Sequence, residues 1–133
     1  MKKIEHIGIA VSDLNEANVL YKKILGVKPY KTESVASEGV ITSFFQTNNT
    51  KIELLQGIGQ NNAISNFIKK RGEGIHHIAF EVEDIKAEIS RLKKLGFHII
   101  NETPKQGADN KLICFIHPKS TKHVLIELCQ EIK

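Results

Sequence analysis

The chain has 133 residues, 41% hydrophobic and 26% charged, which is enough to bury one core without disulfides or metal staples. Its formal net charge of +4 comes from lysines scattered along the whole sequence, with only two tyrosines and six phenylalanines and no tryptophan. A nucleic-acid surface gathers basic residues on one element with stacking aromatics among them, so this pattern argues against nucleic acid and leaves an anionic small molecule as a partner.

Ile4 to Val11 alternates as a half-buried strand, with His6, Gly8 and Ala10 on one face and Ile7, Ile9 and Val11 on the other. Asp13 and Glu16 then read as a capping box, opening a helix striped by Leu14, Ala17, Leu20, Tyr21, Ile24 and Leu25 and stopped by Gly26. Val27 to Val35 reads as a poorer strand, Gly39 as a turn, and Val40 to Gln46 and Lys51 to Gln56 as two further strands. A linker rich in glycine and amides, Gly57 to Asn62, leads to a short helix over Ala63 to Arg71. No run approaches the ~18 apolar residues of a membrane span, and the stretch after Met1-Lys2-Lys3 reads as strand rather than leader.

The pattern then restarts. Ile75 to Val82 alternates with His77, Ala79 and Glu81 on one face, and Asp84 caps a helix striped by Ile85, Ile89, Leu92 and Leu95 and stopped by Gly96. Phe97 to Ile100 is expected as a strand, Glu102 to Asn110 as a long loop, and Lys111 to His117 and His123 to Cys129 as the last two strands. Cys114 and Cys129 fall inside apolar strand patterns and are expected as buried free thiols, which fits a cytoplasmic protein.

The two halves repeat at both ends. Setting His6 on His77 aligns Ile7 with Ile78, Val11 with Val82, Asp13 with Asp84 and Leu14 with Ile85. Ile52-Glu53-Leu54-Leu55-Gln56 matches Ile126-Glu127-Leu128-Cys129-Gln130 at four of five positions. Glu53 follows His6 by 47 residues and Glu127 follows His77 by 50. The economical architecture is a single α+β domain of two pseudo-symmetric βαβββ modules, about 1–57 and about 74–131, joined by a linker helix at about 61–72. Their mixed β-sheet would curl around one site.

Glu127 is flanked by apolar strand positions with no lysine or arginine beside it, and Glu53 stands in the matching context. A carboxylate so placed is costly to bury without a cation. The histidines share their faces with Gly8, Ala10 and Ala79, small residues that leave room for a ligand. Two imidazoles and two carboxylates suit one divalent metal ion with positions left for substrate oxygens, and Co2+, Ni2+, Mn2+ and Zn2+ all tolerate that donor set. Of the other histidines, His76 points away from the His77 face, and His98 and His123 read as ordinary strand positions.

These residues carry a resemblance. The doubled module with His6, Glu53, His77 and Glu127 resembles the vicinal oxygen chelate superfamily, which includes glyoxalase I, extradiol dioxygenases and antibiotic-resistance binding proteins. Within it, the segments Lys70-Arg71-Gly72-Glu73-Gly74-Ile75-His76-His77 and His117-Pro118-Lys119-Ser120-Thr121 are similar to those of the methylmalonyl-CoA epimerases. The resemblance implies a homodimeric isomerase that moves the C2 proton of an acyl-CoA thioester, with His6, Glu53, His77 and Glu127 as metal ligands. On the chemistry of these residues, Glu127 is expected as one acid/base group and Glu53 is the leading candidate for the second, with Lys119, Ser120, Lys122 and Thr42 as candidate contacts to substrate.

Two departures from the family are visible. Some of its members carry glutamine where Glu53 stands, and some carry a second acid/base glutamate where this chain has Thr42. A hydroxyl cannot take a proton from carbon near neutral pH, so the second group is left open. Two rival readings remain: glyoxalase I (lactoylglutathione lyase), which uses the same four ligands on a thiol hemithioacetal, and a metal-free binding protein of the same fold.

Overall fold

The helix starts follow from their caps. In the computed structural model, which describes Met1–Lys133, β1 (Lys3–Ala10) leads into α1 (Leu14–Leu25) through Asp13, whose side chain accepts the Glu16 N–H at 3.0 Å. Gly26 ends the helix in the left-handed conformation, its N–H donating to the Lys22 carbonyl. Next come β2 (Lys31–Val35), β3 (Val40–Gln46) and β4 (Lys51–Gly57). Asn62 caps α2 (Ala63–Arg71) by accepting the Ser65 N–H, and this cap lies so close to β4 that a Cβ at Gly57 would stand 2.3 Å from Asn62 Oδ1.

Residues His6–His76 form one compact unit. Its strands lie in the order β2-β3-β4-β1, with β1 parallel to β4 and the other pairs antiparallel. One face is covered by α1: Val11, Leu14, Ala17, Phe45 and Leu54 are buried together there, with Tyr21 and Ile52 packed against them. On the other face Ala10, Val40, Leu55 and Ile64 form a second cluster that seats α2.

The second unit comprises His77–Lys133 with Met1–Glu5, whose Lys2 N–H donates to the Glu81 carbonyl at 2.8 Å. β5 (Gly74–Glu81) is followed by α3 (Ile85–Lys94), which Asp84 caps by accepting the Ala87 N–H at 3.1 Å. Then come β6 (Lys105–Gln106), β7 (Lys111–Ile116) and β8 (Ile126–Glu131), in the order β5-β8-β7-β6. α3 packs on the face of Cys114, Ile116 and Leu128, while Ala79, Ile113 and Cys129 cluster on the other. Each unit is therefore a βαβββ module with a helix on one face of a mixed sheet, as the sequence repeat predicts.

Both cysteines are free and buried. Burial pushes the Cys114 thiol up to about 12, with the charge of Glu127 adding to the effect. No helix is long and apolar enough to cross a membrane.

Two strand readings need correction. Phe97 to Ile100 is not a strand but a single bridge, Ile99 to Ile116. The chain leaves the sheet at Asn101, whose side-chain oxygen stands 3.4 Å from the Phe115 N–H, and Pro104 has no N–H to offer. The edge pairing is made instead by β6, inside the stretch read as loop. The last strand begins at Ile126 rather than His123, because Lys122 and His123 adopt φ of 57° and 70°. That turn is tied by Thr121, whose hydroxyl bonds the Val124 carbonyl.

Candidate active site

Strand register decides which side chains share a face. In the first unit β1 and β4 run parallel with Gly8 opposite Glu53, so His6, Gly8 and Ala10 lie on the face of Glu53 and Leu55. The His6 Nδ1 and Glu53 Oε2 atoms come within 3.1 Å, and both residues are buried. In the second unit Ala79 stands opposite Glu127, which places His77 and Glu127 on one face, with His77 Nε2 3.2 Å from Glu127 Oε1. These two residues are also buried.

The separations have a simple reading. Two adjacent ligand atoms at about 2.1 Å from one cation stand about 3 Å apart. A buried imidazole beside a buried carboxylate, with small residues around it, is donor chemistry that could hold a metal ion, and each unit carries one such pair. The His6, His77 and Glu127 side chains each offer a ligating atom from a buried position. This donor chemistry fits a divalent cation.

Aromatic residues hold the acidic rows. Phe115 stands directly opposite Glu127 in the β7–β8 ladder, and its ring meets the His77 imidazole edge-on at 5.9 Å between centroids. Phe44 stands opposite Glu53 in the same way and is fully buried, with the Lys31 ammonium 4.9 Å above its ring. Sequence reasoning missed both phenylalanines, although each sits across from the glutamate of its own half.

It also missed what the repeated glutamine does. Gln56 Oε1 accepts the N–H of Leu14 at 2.7 Å, and Gln130 Oε1 accepts the N–H of Ile85 at 2.8 Å. Each ties the first turn of a helix to the strand that carries a site glutamate. The signal was present, since Gln56 and Gln130 close the two matching pentapeptides.

The remaining sequence candidates separate. Thr42 is on the β3 face that carries Phe44, opposite Leu55, and is 1% exposed. Its Oγ1 has no hydrogen-bond partner within the protein, a condition that costs about 1–3 kcal/mol for a buried polar group. Lys119 and Lys122 are exposed in the loop before β8. The Ser120 Oγ accepts the His98 N–H at 3.1 Å, and His117 Nδ1 accepts the Lys119 N–H at 3.1 Å, so this loop is braced by its own hydrogen bonds. His98 and His117 stack with rings 5.0 Å apart, and His76 rests edge-on against Phe67 of α2.

Comparison with known proteins assigns the chain to a family. Residues 5–115 match the family model of the Glyoxalase/Bleomycin resistance protein/Dioxygenase superfamily. The chain is 42% identical to the mitochondrial methylmalonyl-CoA epimerase of Dictyostelium discoideum, over 95% of this chain and 76% of that one. It is 40% identical to an ethylmalonyl-CoA/methylmalonyl-CoA epimerase of Cereibacter sphaeroides, over 96% of this chain and 97% of that one.

The chain belongs to the methylmalonyl-CoA epimerase family. Among solved structures, a Streptomyces coelicolor methylmalonyl-CoA epimerase variant in complex with 2-nitronate-propionyl-CoA superposes with a TM-score of 0.95 at 30% identity, covering 98% of this chain and 95% of that one. A methylmalonyl-CoA epimerase in complex with methylmalonyl-CoA and NH4+ gives the same TM-score, identity and coverage. The family thus shares the two-module vicinal oxygen chelate fold expected from the sequence repeat.

Proposed function

We propose that the chain is a methylmalonyl-CoA epimerase, interconverting the (R) and (S) forms of methylmalonyl-CoA by moving the proton on C2. The observation that carries this reading is the buried His–Glu pair in each half of a chain from the epimerase family, His6 with Glu53 and His77 with Glu127. In this reading the four residues together hold one divalent ion, Co2+, Ni2+, Mn2+ or Zn2+. When bound, such an ion acts as a Lewis acid toward the oxygens of the substrate.

The chain's own residues then do the proton work. One carboxylate takes the C2 proton as the C–H electron pair moves into the thioester carbonyl to give an enolate. The other carboxyl returns a proton to the opposite face, and the thioester re-forms with C2 inverted. The internal repeat supports this division, since each module contributes one glutamate paired with a histidine. Glu127 is one of the two acid/base groups and Glu53 the other. His6 and His77 fix the carboxylates in place, while Phe44 and Phe115 exclude water beside them.

Lys119 and Lys122 present positive charge from the loop before β8 toward the CoA phosphates, and Ser120 contacts the substrate while bracing that loop. The protein works as a homodimer. The exposed apolar side chains Val19, Leu20 and Ile24 of α1 offer a surface for a second copy. Its two free thiols fit the cytoplasm.

The test supplies metal-loaded protein with one pure epimer of methylmalonyl-CoA and, separately, with the methylglyoxal–glutathione adduct. Appearance of the other epimer is the expected result. Turnover of the glutathione adduct alone would refute the assignment and make the chain a glyoxalase.

A further inference from the structure

The site face of the first unit contains a polar atom that the proton chemistry leaves unused. Thr42 lies one strand away from Glu53 and two residues along β3 from Phe44, which stands opposite that glutamate. Its side chain is fully buried, and its Oγ1 has no partner within the protein. Glu33 stands directly opposite on β2, but its carboxylate is engaged with the Lys31 ammonium at 3.2 Å. The Thr42 hydroxyl is therefore a donor kept ready on the face of His6 and Glu53.

The sibling module shows that packing does not require it. Thr42 stands opposite Leu55, and the corresponding pair in the second unit is Ile113 opposite Cys129. Ile113 is buried there among Ala79 and Cys129, an apolar residue filling the same place. A fold that accepts isoleucine at this position has no structural need for a hydroxyl. What distinguishes the first module is the hydrogen bond it can give to something that arrives.

We infer that Thr42 is a substrate-positioning residue whose hydroxyl donates to a carboxylate oxygen of the incoming acyl group, fixing C2 against Glu53. A threonine hydroxyl is neutral and too weak an acid to exchange protons with carbon, so it holds the substrate rather than deprotonating it. A hydrogen bond to a charged oxygen is also the kind that most repays a buried, preformed donor. With a donor rather than a carboxylate at this position, Glu53 is left as the acid/base group of the first module. The identity of the substrate rests on the epimerase reading; the presence of a carboxylate donor does not.

The test compares wild type, Thr42→Val and Thr42→Ser by three measurements. The first is the melting temperature of the metal-free protein. The second is the affinity of the cobalt-loaded protein for malonate, read by calorimetry. The third is KM and kcat for methylmalonyl-CoA. Thr42→Val should melt at or above the wild-type temperature, because it removes a buried group that has no internal partner.

The same variant should bind malonate roughly 10- to 100-fold more weakly, the worth of a hydrogen bond to a charged group. KM should rise more than kcat falls, and Thr42→Ser should recover most of the loss. A Thr42→Val protein that melts several degrees lower would mean the hydroxyl serves the fold, and would overturn the inference. So would a wild type that binds malonate no better than the variant. A malonate difference without turnover of methylmalonyl-CoA would keep the carboxylate donor and discard the epimerase.

Discussion

Gln130 accepts the main-chain N–H of Ile85 at 2.8 Å, and the first module repeats the contact between Gln56 and Leu14. The residue three positions after each site glutamate faces the helix side of its strand and satisfies a donor that the first helical turn leaves free. Carboxylate and helix are thereby held by one strand in two places. The internal repeat keeps strand, helix and glutamate in the same relation in both halves.

Replacing either glutamine by alanine should cost about 1 kcal/mol of stability, the worth of a helix N-terminal hydrogen bond. Urea denaturation checks it, and Gln130→Ala should shift the midpoint without changing the slope. An unchanged midpoint would show that water replaces the amide without loss.

Glu127→Ala should reduce turnover by at least about 100-fold and weaken metal binding, since on the proposed function it removes a ligand and an acid/base group together. Glu127→Gln separates the roles: an amide oxygen can still ligate but cannot take a proton. Metal content of the purified variants and C2 exchange rates, measured side by side, check both statements. A metal-replete, active Glu127→Ala would contradict the assignment.

Cys114 should be inert to thiol reagents in the native protein at pH 8 and react only on unfolding. Burial raises its folded-state pKa from the ordinary 9.0 to about 12, so the thiolate is scarce. The sign for stability follows from linkage: the folded state holds this proton more tightly, so its contribution is complete below pH 9.0 and is lost as the pH rises toward about 12. Denaturation midpoints taken between pH 8 and 11 should fall for the wild type and fall less for Cys114→Ala.

Chelation should lower the melting temperature, and Co2+, Ni2+, Mn2+ or Zn2+ should restore it. A cation bound only by the folded chain stabilises it by mass action, about 2.7 kcal/mol at a concentration 100 times its Kd. A His77→Ala protein should lose most of this response; a full response would place the ion elsewhere.

Much of this was legible in the sequence because the repeat doubles each signal. The Asp13 and Asp84 caps, the face alternation around His6 and His77, and the Glu53 and Glu127 strands all emerge from periodicity and from one half restating the other. The misread stretches are those that periodicity cannot govern. Phe97-His98-Ile99-Ile100 has the composition of a strand, yet Asn101 and Pro104 turn it away after one bridge. Lys105-Gln106 has no apolar pattern and pairs only because β7 offers it an edge. His123-Val124-Leu125 alternates properly, but Lys122 and His123 adopt the left-handed conformation, a choice made by the Thr121 turn rather than by propensity. The isolated hydroxyl of Thr42 is a property of its surroundings, and no local pattern announces it.

The most direct test of the central proposal, that the histidine-paired glutamates of the two modules exchange the proton on C2 of an acyl-CoA thioester, is deuterium wash-in. Metal-loaded protein is incubated with methylmalonyl-CoA in D2O, and the C2 proton is followed by NMR. The account predicts that the C2 signal disappears with wild type, and at a rate lower by at least about 100-fold with Glu127→Ala. A C2 proton that survives incubation with metal-replete wild type at the uncatalysed rate would contradict it.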